Sequence, residues 1–212
     1  MKKTILILTV LFMALQQSGF SQAAQKETMV LIKTSYGNIT AKLYNDTPKH
    51  RDNFIKMINE GWYNNSPFHR IIKGFMIQGG GNADGRQDPG YTVPAEILPN
   101  HLHKKGALAA ARTADQVNPQ KASSGCQFYI VEGTVLTNEV LNSYEQRYKT
   151  TYSAEQRKVY TSVGGTPWLD GGYTVFGEVV SGLDVIDKLA AVPTGPGDKP
   201  VSPVTMIVEI VK

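Results

Sequence analysis

The spacing of chain breaks constrains this fold more than any other feature of the sequence. Glycine, proline and Asn/Asp clusters recur at short intervals and cut the apolar runs into strand-length pieces. "TMVLIKTSYGNITAKLY" (28–44) is two β-rich runs around Tyr36-Gly37-Asn38, which reads as a hairpin turn. "FHRIIKGFMIQGG" (68–80) splits at Gly74 into two short strands, and a Gly/Asp/Pro loop, "GNADGRQDPG", follows it. "GALAAART" (106–113), "CQFYIVE" (126–132), "YTVFGEVV" (173–180) and "VTMIVEIVK" (204–212) supply further strands. Two core helices fit between them. In "TPKHRDNFIKMINEG" (47–61), Thr47 suits the N-cap, Pro48 the first helical position and Gly61 the C′ position, while Phe54, Met57 and Ile58 share one face. The second is "GLDVIDKLAAV" (182–192). Many short strands with two attached helices predict a mainly β barrel or sandwich.

Residues 134–167 break this rhythm. The stretch is polar and helix-prone, with Thr137 as an N-cap and Val140, Leu141, Tyr144 and Tyr148 as an apolar edge. "SAEQ" (153–156) is a capping-box pattern for a second short helix. The segment reads as a helical insertion packed on the domain surface. Its replacement by a short linker is then expected to leave the domain intact.

The 212 residues suffice for one domain with a substantial core. Lys2 and Lys3, the apolar "ILILTVLFMAL" (5–15) and the small residues of "SQA" (21–23) form a secretory signal pattern, so 1–23 is expected to be removed and 24–212 to form the domain. The apolar stretch is shorter than the ~20 residues of a bilayer span, so no stable membrane insertion is expected after cleavage. Loss of the two lysines takes the formal charge of +4 to about +2, too weak a bias to argue for nucleic acid. Cys126 is the single cysteine, so an intramolecular disulfide is excluded, and its strand context predicts a buried apolar role.

Arg70 is the residue that demands a function. It stands among Phe68, Ile71, Ile72, Phe75, Met76 and Ile77, and an unpaired guanidinium in apolar company is costly. Either a carboxylate pairs with it, or it projects into a pocket and works on a substrate. Other catalytic patterns are weak. His101 and His103 alternate like strand neighbours, but the polar "LPNHLHKKG" predicts solvated side chains and no metal. "QGGGNADG" matches neither phosphate-binding fingerprint, and no nucleophile elbow occurs. No cofactor or metal is expected.

"FHRIIKGFMIQGG" resembles the signature of the cyclophilins, the peptidyl-prolyl cis-trans isomerases. "TPKHRDNF", "GALAAART", "SSGCQFYI" and "WLDGGYTVFGEVVSGLDVIDKL" resemble further family blocks in the family's order, so the likeness spans nearly all of 24–212. It implies an eight-stranded antiparallel barrel capped by two helices, with the active site on its outer face. By position it makes Arg70 catalytic, and gives Phe75, Met76, Gln78, Gln127, Tyr129, Trp168, Leu169 and Tyr173 to the proline pocket and groove. Ala111, Arg112 and Thr113 fall on the strand under the peptide. His69, next to Arg70, is expected on the opposite strand face in a structural role. The sequence departs from many members at Tyr129 (phenylalanine there), Tyr173 (histidine), Arg112 (asparagine) and Ala110 (methionine).

The function so implied is rotation about X-Pro bonds of proline-containing peptides and of unfolded or folding protein clients, in the bacterial periplasm. A cyclosporin-type ligand is implied as well. The alternative is a proline-peptide binding module or chaperone with little turnover. An extracytoplasmic hydrolase lacks its nucleophile and base.

Overall fold

The computed structural model describes residues 26–83 and 88–211. The segment read as a signal, 1–23, lies outside the described residues, as does part of the 81–90 loop. The strands are β1 (Thr28–Thr34), β2 (Gly37–Leu43), β3 (Ser66–Ile72), β4 (Met76–Gly79), β5 (Thr92–Val93), β6 (Ala107–Ala110), β7 (Ser123–Ser124), β8 (Phe128–Val131), β9 (Val175–Ser181) and β10 (Thr205–Ile210). The helices are α1 (Pro48–Asn59), α2 (Asn138–Tyr148), α3 (Ala154–Ser162) and α4 (Leu183–Ala190). Eight strands close a barrel in the order β1-β10-β3-β4-β8-β6-β9-β2, every pair antiparallel, while β5 and β7 form a separate ribbon. Of barrel and sandwich, the barrel is correct.

The strand period of two divides apolar side chains between two cores. Ile32, Ile39, Leu43, Ile77, Leu108, Phe128, Ile130 and Phe176 fill the interior. Phe54 and Met57 from α1, and Val185, Ile186 and Leu189 from α4, complete that core, so each capping helix is held by its apolar face. The alternate residues, Met76, Ala107, Ala109, Ala111, Tyr129, Val131 and Val175, form a second cluster on the outer wall. The functional surface is built on this second cluster.

Three local expectations change. The β1–β2 turn is Ser35-Tyr36, and Gly37 already pairs with Thr34 as the first residue of β2. Thr47 does not cap α1 with its side chain. The Glu96 carboxylate, 46 residues away, accepts from His50 N–H at 3.0 Å and from Lys49 N–H at 3.1 Å, putting negative charge at the helix's positive end. His101 and His103 are not solvated. His101 stacks on Tyr44 at 4.0 Å and meets Asp46 at 2.8 Å, and His103 is fully buried.

The insertion has its expected caps. The Thr137 hydroxyl accepts from Val140 N–H, and Ser153 and Gln156 exchange both bonds of a capping box. Its packing is deeper than a surface flap, however. Leu136, Leu141, Tyr152 and Tyr160 form a core of their own, with Leu141 and Tyr160 wholly buried, and Arg157 ties α3 to Glu145 of α2 at 2.7 Å. The two helices rejoin the barrel at Gly165, where a Cβ would collide with the His103 carbonyl. A glycine is required for that close approach.

Candidate active site

Arg70 owes its position to a β-bulge. Phe68 pairs with Gly79 and Arg70 with Gln78, so two steps along β3 match one along β4 and His69 is the extra residue. Strict alternation would put Phe68 and Arg70 on one face. The bulge sends Phe68 into the interior core and Arg70 to the outer wall, a known way of re-aiming a side chain at a working site. His69 is half-buried, with its Nδ1 buried and without a hydrogen-bond partner among the described residues, and burial pulls its pKa below the usual imidazole value.

The register then lays out the site. Arg70 faces Gln78, Gln78 faces Tyr129, and Tyr129 faces Ala109 across four adjacent strands. Small residues on β6 leave room over the sheet, and a hollow of about 120 Å³ results. Arg70, Phe75, Met76, Gln78, Ala111, Arg112, Tyr129, Leu169 and Tyr173 line it. Thr113 and Gln127 line a neighbouring depression that shares Gln78, Ala111 and Arg112, and Gln78 donates its amide to Gln127 at 3.2 Å. Trp168 lines neither, but stands 5.8 Å from Phe75, ring to ring. Phe75 is fixed by its carbonyl, which accepts from Glu132 N–H at 3.0 Å and Gly133 N–H at 3.1 Å. Met76, Phe75, Leu169 and Tyr129 give the hollow an apolar floor.

Arg70 satisfies both alternatives posed by its sequence context. It lines the hollow, and its Nε donates to Asp198 Oδ2 at 3.3 Å. The pair is about two-fifths exposed on either side, so its contribution to stability is small. The Nε–H faces Asp198, and the remaining donors of the fork belong to the two Nη groups. Asp198 is held at φ 60° next to Gly197 at φ 72°, two successive left-handed residues in the 196–198 turn. Backbone strain of this kind gathers at functional sites.

Arg112 is committed to structure. Its side chain is almost wholly buried, with Nε donating to the Gly172 carbonyl at 2.7 Å, Nη1 meeting Asp115 at 2.6 Å, and the guanidinium lying 4.4 Å over the Tyr173 ring. It therefore clamps the 171–173 turn, and Tyr173 with it. Tyr129 brings its own partners. His103 is bonded through Nδ1 to Asp170 Oδ1 at 2.9 Å and through Nε2 to the Tyr129 hydroxyl at 3.0 Å. Asp170 Oδ2 accepts from Tyr160 of α3 at 2.5 Å. A carboxylate accepts, so the His103 Nδ1–H donates to Asp170, and Nε2 shares the remaining bond with the Tyr129 hydroxyl. The Tyr129 hydroxyl is thus turned to the interior network, and burial raises its pKa. No local pattern marks Asp170, Tyr160 or Asp198, whose partners lie 10 to 128 residues away, and the polar neighbours of His103 predict a solvated side chain where the fold buries it.

Two other constellations do not offer comparable chemistry. His50 lies between Glu96 (2.7 Å) and the Ser123 hydroxyl (2.9 Å), which imitates a hydrolytic triad. Ser123 is 1% exposed, so no substrate reaches it; the trio ties α1 to the β5–β7 ribbon. A larger open hollow of about 530 Å³ is lined by Glu27, Lys42, Lys104 and Glu178, whose charges pair with one another. Tyr44, Leu102 and Val159 also line it, but no arginine does. No group of three or more metal-ligating side chains occurs among the described residues.

The closed antiparallel barrel carries on its outer wall an arginine above an apolar hollow, the arrangement that the resemblance to the cyclophilins implies. The family described as cyclophilin type peptidyl-prolyl cis-trans isomerase/CLD matches residues 29–210. A Staphylococcus saprophyticus protein named as a peptidyl-prolyl cis-trans isomerase is 33% identical over 192 residues, covering 88% of this chain and 93% of its own. A crystal structure of a Cryptosporidium parvum cyclophilin superimposes with a TM-score of 0.66 at 26% identity, covering 88% of this chain and 99% of that one. A second structure of it, determined in the presence of the dipeptide Ala-Pro, gives 0.65 at 26% identity over 87% and 99%. This chain belongs to the cyclophilin family and is a peptidyl-prolyl cis-trans isomerase.

Proposed function

We propose that the hollow beside Arg70 receives the prolyl ring and that Arg70 donates to the prolyl nitrogen during rotation. The observation that carries this reading is the cross-strand row: the guanidinium stands in register with Gln78 and Tyr129 at the rim of an apolar hollow. Resonance gives the amide C–N bond partial double-bond character and a barrier of ~18–20 kcal/mol. At the twisted transition state the nitrogen becomes pyramidal and its lone pair can accept a hydrogen bond. A donor aimed there binds the transition state better than the planar ground state. Arginine stays protonated and holds its donors in a rigid fork.

The hydrogen bond is not the whole effect. It contributes ~1.5–3 kcal/mol, whereas a millionfold acceleration needs ~8 kcal/mol. The planar amide is more dipolar than the twisted one, so the apolar floor of Phe75, Met76, Leu169 and the Tyr129 ring disfavours the ground state. Gln78, Gln127 and the Arg112–Thr113 backbone can hold the flanking chain and fix its orientation. Turnover of a short Ala-Pro peptide, compared with Arg70→Ala, tests this assignment.

The clients on this reading are unfolded or folding proteins exported across the inner membrane, and the compartment is the periplasm. The basic, apolar and small-residue pattern of 1–23 supports that location. Cell fractionation with N-terminal sequencing tests it, with a start near Ala24 expected and an intact cytosolic chain as the contrary result. A cyclosporin-type ligand would occupy the same hollow and compete with peptide.

A further inference from the structure

Four aromatic rings run in file from the rim of the hollow onto the insertion. Phe75 and Trp168 have ring centroids 5.8 Å apart, Trp168 and Tyr144 are edge-on at 5.2 Å, and Tyr144 and Tyr148 are edge-on at 5.9 Å. The Arg147 guanidinium lies 5.5 Å from the Tyr148 ring centre. The insertion sorts its tyrosines. Tyr152 and Tyr160 are buried in its core, whereas Tyr144 is partly exposed and Tyr148 is 44% exposed. Phe75 and Trp168 are also only partly covered. The file therefore begins in the hollow's own apolar cluster and stays accessible to solvent along its length.

We propose that this file is a subsite for the client chain, taking an apolar or aromatic side chain a few residues from the proline. The proposal rests on the hollow being the seat of the prolyl ring, and the file is continuous with that seat through Phe75. An extended peptide advances about 3.3–3.6 Å per residue, so each ring-to-ring step spans one to two residues. A peptide with its proline in the hollow then lays its flank against Trp168 and Tyr144, and a longer one reaches Tyr148. Edge-on rings suit the purpose, because an incoming ring can meet each of them tilted or offset. A tetrapeptide is too short to use the outer rings. A longer, unfolded segment is the occupant that fits.

The test uses the full chain and its Tyr144→Ser/Tyr148→Ser double variant. Substrates are an Ala-Pro tetrapeptide and ten-residue peptides with one central proline, carrying either Phe or Ala three residues from it on each flank. The wild-type enzyme is expected to favour a Phe peptide by about 3- to 10-fold in kcat/KM, the scale of one aromatic contact, and to do so through KM. The double variant is expected to treat Phe and Ala peptides within about twofold, with tetrapeptide turnover unchanged. Equal handling of both peptides by the wild type, or a preference that survives in the variant, overturns the proposal. Should the double variant misfold by circular dichroism, Tyr144→Ser alone, at the ring a Phe three residues from the proline reaches, must still weaken the preference. Arg70→Ala run on the same peptides separates the two readings: unchanged turnover there removes the seat of the proline, whereas lost turnover leaves any failure with the file alone.

Discussion

Tyr160→Phe isolates one bond that joins the insertion to the pocket floor. The hydroxyl donates to Asp170 Oδ2 at 2.5 Å, and the other carboxylate oxygen is held by His103 N–H and Nδ1–H, both at 2.9 Å. The substitution keeps the ring, so no cavity opens; it removes one hydrogen bond to a charged acceptor and leaves that oxygen largely shielded from water. A loss of ~1.5–3 kcal/mol is expected. For a domain of this size that is a fall in Tm of about 3–12 °C, at roughly 2–4 °C per kcal/mol. Tyr160→Ala also empties the ring's space, which adds about 3–5 kcal/mol. Urea unfolding with matched m-values gives both numbers. A Tyr160→Phe cost below about 0.5 kcal/mol would show that the network does not carry this load, since that is the range of ordinary surface changes. If the cost is as expected, a linker replacing 137–164 removes a buried strut along with the surface helices. The insertion is then no longer expendable in the way its polar composition suggested.

Asp198→Gly should lower kcat by about 3- to 10-fold with little change in KM, because orientation of the fork is lost while the backbone is relieved at φ 60°. Equal kcat in the variant would remove Asp198 from the mechanism. Burial lowers the pKa of His50, against the opposing pull of Glu96, and lowers that of His69. Each then binds its proton more weakly when folded than when unfolded, so stability is present above pH 6.5 and is lost as pH falls through 6.5 towards the folded value. Tm should therefore drop between pH 7.5 and 5.5, and His50→Gln should flatten that slope; a flat wild-type profile contradicts it. Burial raises the Cys126 thiol pKa, so thiol reagents should leave turnover of the native enzyme intact, as should EDTA. Loss of activity in EDTA without unfolding would reveal a metal site.

Most of the fold could be read from the chain because its signals are local. Strand alternation in "GALAAART" and "CQFYIVE" places Leu108 and Ile130 inside and Ala109 and Tyr129 outside, as the two cores require. The capping box at Ser153 needs only four residues to specify it. The lining of the hollow was legible through resemblance, since each lining residue sits in a motif block. What stayed hidden depends on pairs far apart in sequence. Asp198 lies 128 residues from Arg70, in a loop that reads only as turn-rich. Glu96 caps a helix 46 residues upstream, displacing the Thr47 cap that local rules favour. His103 looked solvated because its neighbours are polar, yet its partners come from β8 and from the turn after Trp168. The bulge at His69 could not be seen from alternation, because a bulge is a departure from alternation.

The central claim is that Arg70 binds the twisted amide through a positioned fork. The direct measurement is kcat/KM on an Ala-Pro tetrapeptide for wild type, Arg70→Ala and Arg70→Lys, with circular dichroism matched across the three. Loss of a charged hydrogen bond of ~1.5–3 kcal/mol corresponds to a fall of about tenfold or more for Arg70→Ala. Arg70→Lys should also be poor, since an ammonium point charge keeps the sign but neither the fork nor the Nε contact to Asp198. Wild-type-like turnover in either variant would contradict the account.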